Sequence, residues 1–256
     1  MTAPILVTGG TGTLGRLVVR RLREAGRQVR VLSRRDHADA GGVQFVTGDL
    51  ANRAGIEQAV DGVGTIVHCA SSRTGDADAT ANLVRAALSR AGTPHLVYVS
   101  IVGVDRLPFS YYRSKLDSER VVTESGLPWT ILRATQFYDL ILTGARLLAK
   151  LPVVPAPAGF VVQPVDADEV AVRLVELALT EPAGRVSDLA GPQRLSFADI
   201  LRIYLRARRR RRPVLSVWIP GLGKVRAGAL LPDSRTVPRP DAGSLTWAEF
   251  LADRLS

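Results

Sequence analysis

Apolar and polar positions follow two rhythms through the first half of the chain. Short runs dominated by apolar residues at 4–8, 28–33, 43–47, 65–70, 95–100 and 129–133 predict buried strands. Between them, apolar residues recur three and four apart over 14–25, 56–60, 77–91 and 111–125, which predicts helices with one buried face. Strands alternating with helices imply right-handed crossovers and a parallel sheet covered by helices on both faces. The expected class is therefore α/β: a Rossmann-like, doubly wound parallel sheet with a small C-terminal lobe. After residue 133 the pattern loosens. Residues 136–150 read as a helix. The stretch 151–162 is apolar but carries Pro152, Pro155 and Pro157, so it reads as a loop or an edge strand. Asp166 or Asp168 is placed to cap a helix ending near Leu179, and 186–190 reads as a late strand. Ser196 is placed to cap a helix over 197–205. Thr246, with Glu249 three residues on, forms a capping box for a short helix to Leu255.

The first strand runs into Gly9-Gly10-Thr11-Gly12-Thr13-Leu14-Gly15, which opens the first helix. Strand, glycine turn and helix in that order let a backbone approach a pyrophosphate closely. Gly9 permits the tight turn, Gly12 removes a side chain from the phosphate's path, and Gly15 lets the helix pack against the strand. The helix start offers free N–H groups and the positive end of a dipole. Residues 1–134 are thus expected to form a dinucleotide-binding core. Residues 135–256 would form a substrate lobe interleaved with the core's late strands and helices, in one structural domain.

About twenty residues past such glycines, an NAD site carries a carboxylate for the ribose hydroxyls. Here the place reads Ser33-Arg34-Arg35. A carboxylate would repel a 2′-phosphate, whereas an arginine binds it with a planar charged fork and Ser33 adds a hydroxyl. NADP(H) is favoured over NAD(H), with Asp36 as the competing ribose ligand if the strand ends later.

Tyr111 and Lys115 are four apart at the start of a helix and project from one face. A phenol with a pKa of about 10 is a poor acid at neutral pH. A nearby ammonium stabilises the phenolate and can hold a nicotinamide ribose hydroxyl. The chain has 34 Lys+Arg, yet lysine stands only at Lys115, Lys150 and Lys224. A chance Tyr-x-x-x-Lys is expected only ~0.06 times at this composition. The competing reading is a surface lysine beside a packing tyrosine. Tyr112 is a packing or substrate contact. Ser100, ending the fifth strand, either orients a substrate carbonyl or serves the turn.

Together these residues resemble the short-chain dehydrogenase/reductase superfamily, and more closely its atypical, NmrA-like NAD(P)-binding branch. The matching pieces are the Thr8–Gly15 turn, Gly48-Asp49-Leu50, Val67-His68-Cys69-Ala70-Ser71, Tyr98-Val99-Ser100, Tyr111 to Lys115, and the stretch from Gly126 to Arg133. Gln163-Pro164-Val165-Asp166 and Leu189-Ala190-Gly191-Pro192 are weaker echoes. The resemblance implies that Asp49 and Leu50 lie against the adenine, and that Cys69, Ala70 and Ser71 line the dinucleotide's path. It also places Thr135 near the nicotinamide, with Gln136 and Phe137 toward the substrate. Asn82 would match the asparagine of the superfamily's tetrad. Some NmrA-like members lack a working tyrosine and use the nucleotide as a signal.

Composition narrows the partners. The 256 residues carry a net charge of +10. Part of it lies in Arg206 and the run from Arg208 to Arg212, which reads as a solvated helix end. The alternative is a nucleic-acid or protein patch, but no nucleic-acid-binding signature accompanies the run, and such a partner is not expected. Cys69 is the single cysteine, so no internal disulfide forms. His37, His68 and His95 have no ligand spacing, so no metal site is expected. No apolar run is long enough to span a membrane, and the first strand begins too early for a signal peptide, so a cytoplasmic protein is expected. The expected function is an NADP(H)-dependent oxidoreductase passing hydride between nicotinamide and a small, apolar carbonyl or enone-type substrate. Alternatives are a non-catalytic NADP(H)-sensing regulator and an NAD(P)-dependent epimerase or dehydratase. Monomer and homodimer are both open.

Overall fold

The computed structural model describes residues 3–72, 75–90, 92–218, 230–232 and 241–255. The chain divides into two compact units. One comprises Met1–Ser100, Phe109–Arg133 and Asp168–Val186; the other comprises Ile101–Pro108, Ala134–Ala167 and Ser187–Ser256.

The first unit is built on strands β1 (Ile5–Thr8), β2 (Val29–Ser33), β3 (Val43–Thr47), β4 (Thr65–His68), β5 (His95–Ile101) and β6 (Trp129–Ala134), joined late in the chain by β9 (Gly184–Arg185). β1 pairs in parallel with both β2 and β4, β2 with β3, β4 with β5, and β6 with β9. The strand order reverses at β1, so the crevice of this sheet lies at the carboxyl ends of β1 and β4. Register sets the ends of the ladder: Thr8 faces Leu32 on one side and His68 on the other. The loops after Thr8, Ser33 and His68 therefore leave the same edge.

Alternation along the strands selects the helices on each face. Leu6, Leu32, Ile66 and Leu96 pack with Ile56 and Val60 of α2 (Ile56–Val60), Leu83 and Ala87 of α3 (Asp76–Leu88), and Val122 of α4 (Ser110–Thr123). The opposite face carries Val31, near which lies Val19 of α1 (Thr13–Glu24). α6 (Ala167–Ala178) is tied to α1 by Asp168, whose carboxylate takes both Arg20 and Arg21. Helices on both faces of a parallel sheet make the unit doubly wound, as expected. β4 stops two residues earlier than predicted, because Cys69 and Ala70 leave the ladder to pass under Gly9. α3 begins at Asp76 and ends at Leu88, and the predicted end at Ala91 lies outside the described residues.

Two buried polar groups fix the pieces that carry the site. Arg133 at the end of β6 forks onto Glu119 of α4, with Nε–Oε1 at 2.8 Å and Nη2–Oε2 at 2.6 Å. A bidentate buried pair sets the rotation of α4 about its axis. His68 lies between Thr8 Oγ1 (2.6 Å from Nδ1) and Thr80 Oγ1 (3.1 Å from Nε2). Thr80 gives its single hydroxyl hydrogen to the Asp76 carbonyl, so it accepts from His68. Nε2 therefore carries the proton, and Nδ1 accepts from Thr8. Burial, reinforced by the Lys115 charge, pushes this imidazole down to about 3.

In the second unit, α5 (Tyr138–Leu148), α7 (Phe197–Ala207) and α8 (Trp247–Leu255) enclose an apolar core with β7 (Val154–Pro157) and β8 (Val161–Val162). Tyr138, Trp247 and Phe250 stack with centroids 5.1–5.7 Å apart. The two buried polar tips find carbonyls: Tyr138 Oη donates to Leu245, and Trp247 Nε1 to Ile200. The caps predicted at Ser196 and Thr246 form. Ser196 Oγ accepts from Asp199 N, and Thr246 and Glu249 cap each other's backbone N–H.

The proline-bearing stretch resolves into two short edge strands. β7 pairs with β12 (Val214–Val217), which the sequence pattern did not predict, and β8 pairs with β11 (Leu195–Ser196). The single late strand expected over 186–190 is instead β9 in the first unit and β10 (Leu189–Ala190), paired with β13 (Asp241–Ala242), in the second. The arginine run follows α7. Arg212 donates to the carbonyls of Ala149 and Leu151 just past α5, while Arg206 and Arg208 to Arg211 are exposed.

The buried neutral histidine gives a pH prediction. Between about pH 6.5 and about 3 only the unfolded chain protonates this ring, so acidification weakens the fold by about 1.4 kcal/mol per pH unit. Urea unfolding at pH 6.5 and 5 should show a loss about 1.6 kcal/mol larger in the wild type than in His68→Gln. Equal losses would remove the assignment of a neutral His68.

Candidate active site

The glycine turn is shaped by backbone against backbone. Gly9 sits at φ +69°, and a Cβ there would stand 2.6 Å from Ala70 N. Gly12 N–H closes the turn onto Gly9 O at 2.9 Å. Gly15 is pressed onto Gly9 and Gly10, so its close approach is to the turn itself rather than to the strand. The contact with the sheet belongs to Gly10, a residue the motif reading passed over, whose Cβ would meet Val31 Cγ1 at 2.7 Å. Thr11, Gly12 and Thr13 are exposed, whereas Leu14 is buried and offers main chain only. α1 starts beneath them with no acid in its first turn. An exposed backbone at an uncompensated positive helix end fits a pyrophosphate.

The other predicted nucleotide residues occupy the same edge of the sheet. Ser33 is buried, and its Oγ accepts from Arg35 N at 3.1 Å. Arg34 and Arg35 follow it, exposed. Asp36, the competing ribose ligand, accepts from Thr47 Oγ1 at 3.4 Å, directed at β3. Asp49 folds back onto Ala51 N. The Leu50 carbonyl is held by Asn82 Nδ2 at 2.8 Å, while Asn82 Oδ1 takes Arg53 and Arg85. Asn82 thus tethers the loop of Asp49 and Leu50. Burial pushes the Cys69 thiol up to about 12, which makes it inert.

A polar chain connects the loop after β4 to α4. Tyr111 Oη lies 3.3 Å from Ser71 Oγ, Ser71 Oγ donates to Asp76 Oδ2 at 3.0 Å, and Lys115 Nζ lies 3.2 Å from the same oxygen. The Lys115 side chain is 4% exposed, with its Nζ 5.1 Å from the centre of the Tyr98 ring. Burial pushes its pKa down, but Tyr98, Asp76 and Tyr111 together outweigh burial and hold it above the ordinary lysine value. The spacing of Tyr111 and Lys115 was readable. Asp76 was not, because an acid in the first turn of a helix is an ordinary dipole partner.

The remaining predicted residues are less closely joined. Tyr112 packs edge-on to Tyr111 at 6.0 Å and near Phe109 at 6.1 Å. Ser100 is 1% exposed, and its Oγ makes no hydrogen bond with described residues. In the second unit Thr135 donates to Gln163 O at 2.6 Å, Phe137 precedes α5 and bridges to Val165, and Gln136 Oε1 is buried without a partner among the described residues. No cluster of metal-ligating side chains occurs among the described residues, and no helix there is long and apolar enough to cross a membrane.

Comparison with known proteins gives the family and the fold. The NAD(P)H-binding family pattern matches residues 9–178. A (4-alkanoyl-5-oxo-2,5-dihydrofuran-3-yl)methyl phosphate reductase of Streptomyces griseus is 34% identical over 199 residues, 75% of this chain and 69% of that one. An NAD(P)H azoreductase of Xenophilus azovorans is 29% identical over 97% of this chain and 89% of its own. The NADPH complex of an Escherichia coli quinone oxidoreductase superposes with a TM-score of 0.79 at 20% identity, covering 98% of this chain and all of that one, which shows the shared fold. The chain belongs to the NAD(P)H-binding family, as an oxidoreductase of the short-chain dehydrogenase/reductase type.

Proposed function

We propose that this chain is an NADPH-dependent reductase of small, apolar, conjugated carbonyl acceptors of the enone or quinone type. The observation that carries the reading is the buried Lys115 ammonium, joined through Asp76 and Ser71 to Tyr111. When bound, the nicotinamide supplies hydride. The backbone of Gly9, Thr11, Gly12, Thr13, Leu14 and Gly15 would hold the pyrophosphate, with Ala70 closing the turn from below. Arg34 and Arg35, exposed next to Ser33 with Asp36 directed elsewhere, would hold a 2′-phosphate. Lys115 has three N–H donors; Asp76 takes one, which leaves a donor for a ribose hydroxyl. Tyr111 Oη would give its proton to the substrate oxygen, and the Lys115 charge would stabilise the phenolate left behind. Tyr112, beside Tyr111, would contact the substrate.

By family resemblance Thr135 is assigned toward the nicotinamide, and Gln136 and Phe137 toward the substrate. Ser100 is kept as a carbonyl-orienting hydroxyl because its Oγ has no partner among the described residues. The names of two relatives support the conjugated-carbonyl part of the reading: the Streptomyces griseus reductase is named for the methyl phosphate of an alkanoyl-substituted oxo-dihydrofuran, an unsaturated ring carbonyl that also carries a phosphate, and the Escherichia coli protein for quinones.

Two measurements test the reading. NADPH oxidation should be screened over quinones, enones, aldehydes and azo dyes. With the best acceptor, Tyr111→Phe should lower kcat by about a hundredfold while leaving NADPH affinity within about twofold. Equal turnover would remove Tyr111 from catalysis, and no turnover with any acceptor would remove the reductase reading. In the second, Arg34→Ala should weaken NADPH binding by about tenfold and leave NADH binding unchanged. Equal wild-type affinities for the two nucleotides would overturn the 2′-phosphate assignment.

A further inference from the structure

The carboxylate at the start of α3 is unusual for its position. An acid in a first helical turn ordinarily faces solvent, but Asp76 is 4% exposed. Its two oxygens divide their work. Oδ1 accepts from the backbone N–H and the hydroxyl of Ser72, which fixes the carboxylate to the loop after β4. Oδ2 takes Ser71 Oγ at 3.0 Å and Lys115 Nζ at 3.2 Å. One buried group thus joins the loop after β4, α3 and α4.

Asp76 also sets the direction of the hydrogen bonds. A carboxylate only accepts, so the single hydroxyl hydrogen of Ser71 is committed to Oδ2. Toward Tyr111, Ser71 can then only accept, and the Tyr111 O–H is the donor. The Tyr111 hydroxyl hydrogen is thereby directed at Ser71 Oγ, with the Lys115 ammonium four residues on along the helix. A buried ion pair is a weak source of stability, because desolvation offsets most of the attraction. A chain that uses arginine almost everywhere nevertheless keeps a lysine here, against a carboxylate with four polar contacts.

We propose that Asp76 is the positioning residue of the reduction site: its Oδ2 fixes the Lys115 ammonium and, through Ser71, holds the Tyr111 hydroxyl in place. This rests on the reductase reading for its catalytic consequence but not for the contacts themselves. The charged and titratable groups around the pair are Tyr111 on α4, Tyr98 on β5, and His68 and Cys69 at and just after the end of β4. Burial keeps His68 neutral and Cys69 protonated, so the Tyr98 oxygen, the Asp76 carboxylate and the Tyr111 oxygen are the groups that offset the burial of Lys115.

The scarcity of lysine makes the test direct. The full chain is labelled at lysine 13Cε and 15Nζ, giving signals from Lys115, Lys150 and Lys224, with Lys115 assigned by Lys115→Arg. In Asp76→Asn the Lys115 titration should move to lower pH while the other two stay in place. An unmoved Lys115 titration would overturn the proposal. With an acceptor, Asp76→Asn should lower kcat about tenfold or more with KM within about twofold, and shift the pH profile of kcat. An unchanged kcat and pH profile would leave Asp76 a merely structural residue and overturn the positioning role.

Asp76→Glu keeps the charge and displaces Ser71. It should hold the Lys115 titration near that of the wild type yet lower kcat, and full activity would count against the proposal. If Asp76→Asn does not fold, the same two readouts on Asp76→Glu and Ser71→Ala decide, because Ser71→Ala should leave the Lys115 titration in place and lower kcat alone. If no acceptor turns over in the wild type, the reductase reading fails, and the lysine titration still decides whether Asp76 holds the cation.

Discussion

A lysine ammonium enclosed at 4% exposure needs an anion within reach, and the architecture around α4 supplies one. Removing a charge from water costs several kcal/mol. Lys115 therefore stays charged only because Asp76, the Tyr98 oxygen and the Tyr111 oxygen together outweigh that cost. Every other feature of the polar chain follows from the placement of this cation. Asp76 must be buried to meet it, the loop after β4 must fold back so that Ser72 holds the carboxylate, and Tyr111 is drawn into register one helical turn away.

Two buried contacts make that placement possible. The Arg133–Glu119 fork fixes the rotation of α4, so that Lys115 faces inward while Tyr111 lies at the boundary with solvent. The neutral His68, clamped by Thr8 and Thr80, joins the end of β1 to the first turn of α3 through the Asp76 carbonyl. The glycine turn and the Tyr111–Lys115 pair are thus mounted on a common polar scaffold beneath the carboxyl ends of β1 and β4. That edge is where a doubly wound sheet presents its ligand crevice.

The glycine turn shows how far a motif can be read. Gly9, Gly12 and Gly15 announce a backbone that must come close to something, and their spacing after a strand and before a helix suggests a phosphate. What they approach inside the protein was not readable. Gly9 meets the chain after β4, Gly15 meets the turn, and Gly10 meets Val31 on a neighbouring strand. Those are contacts between segments far apart in sequence, and no local pattern encodes them. The same holds for Asn82, whose tether on the Leu50 carbonyl depends on a helix face set by packing rather than by spacing. β12 escaped the pattern because its partner, β7, lies about sixty residues earlier in the chain.

By itself the sequence determined the strand and helix alternation, the glycine turn between β1 and α1, the arginines after β2, the caps at Ser196 and Thr246, and the four-residue spacing of Tyr111 and Lys115. Each of these is local, resting on periodicity, a cap or a four-residue helical spacing. Only the tertiary structure decided that Lys115 is buried, that Asp76 is its anion, that Ser71 stands between Asp76 and Tyr111, and that His68 is neutral with its proton on Nε2. Burial and charge pairing are properties of segments brought together by folding, so the chemistry of this site becomes legible only once α3, α4 and the loop after β4 share one space.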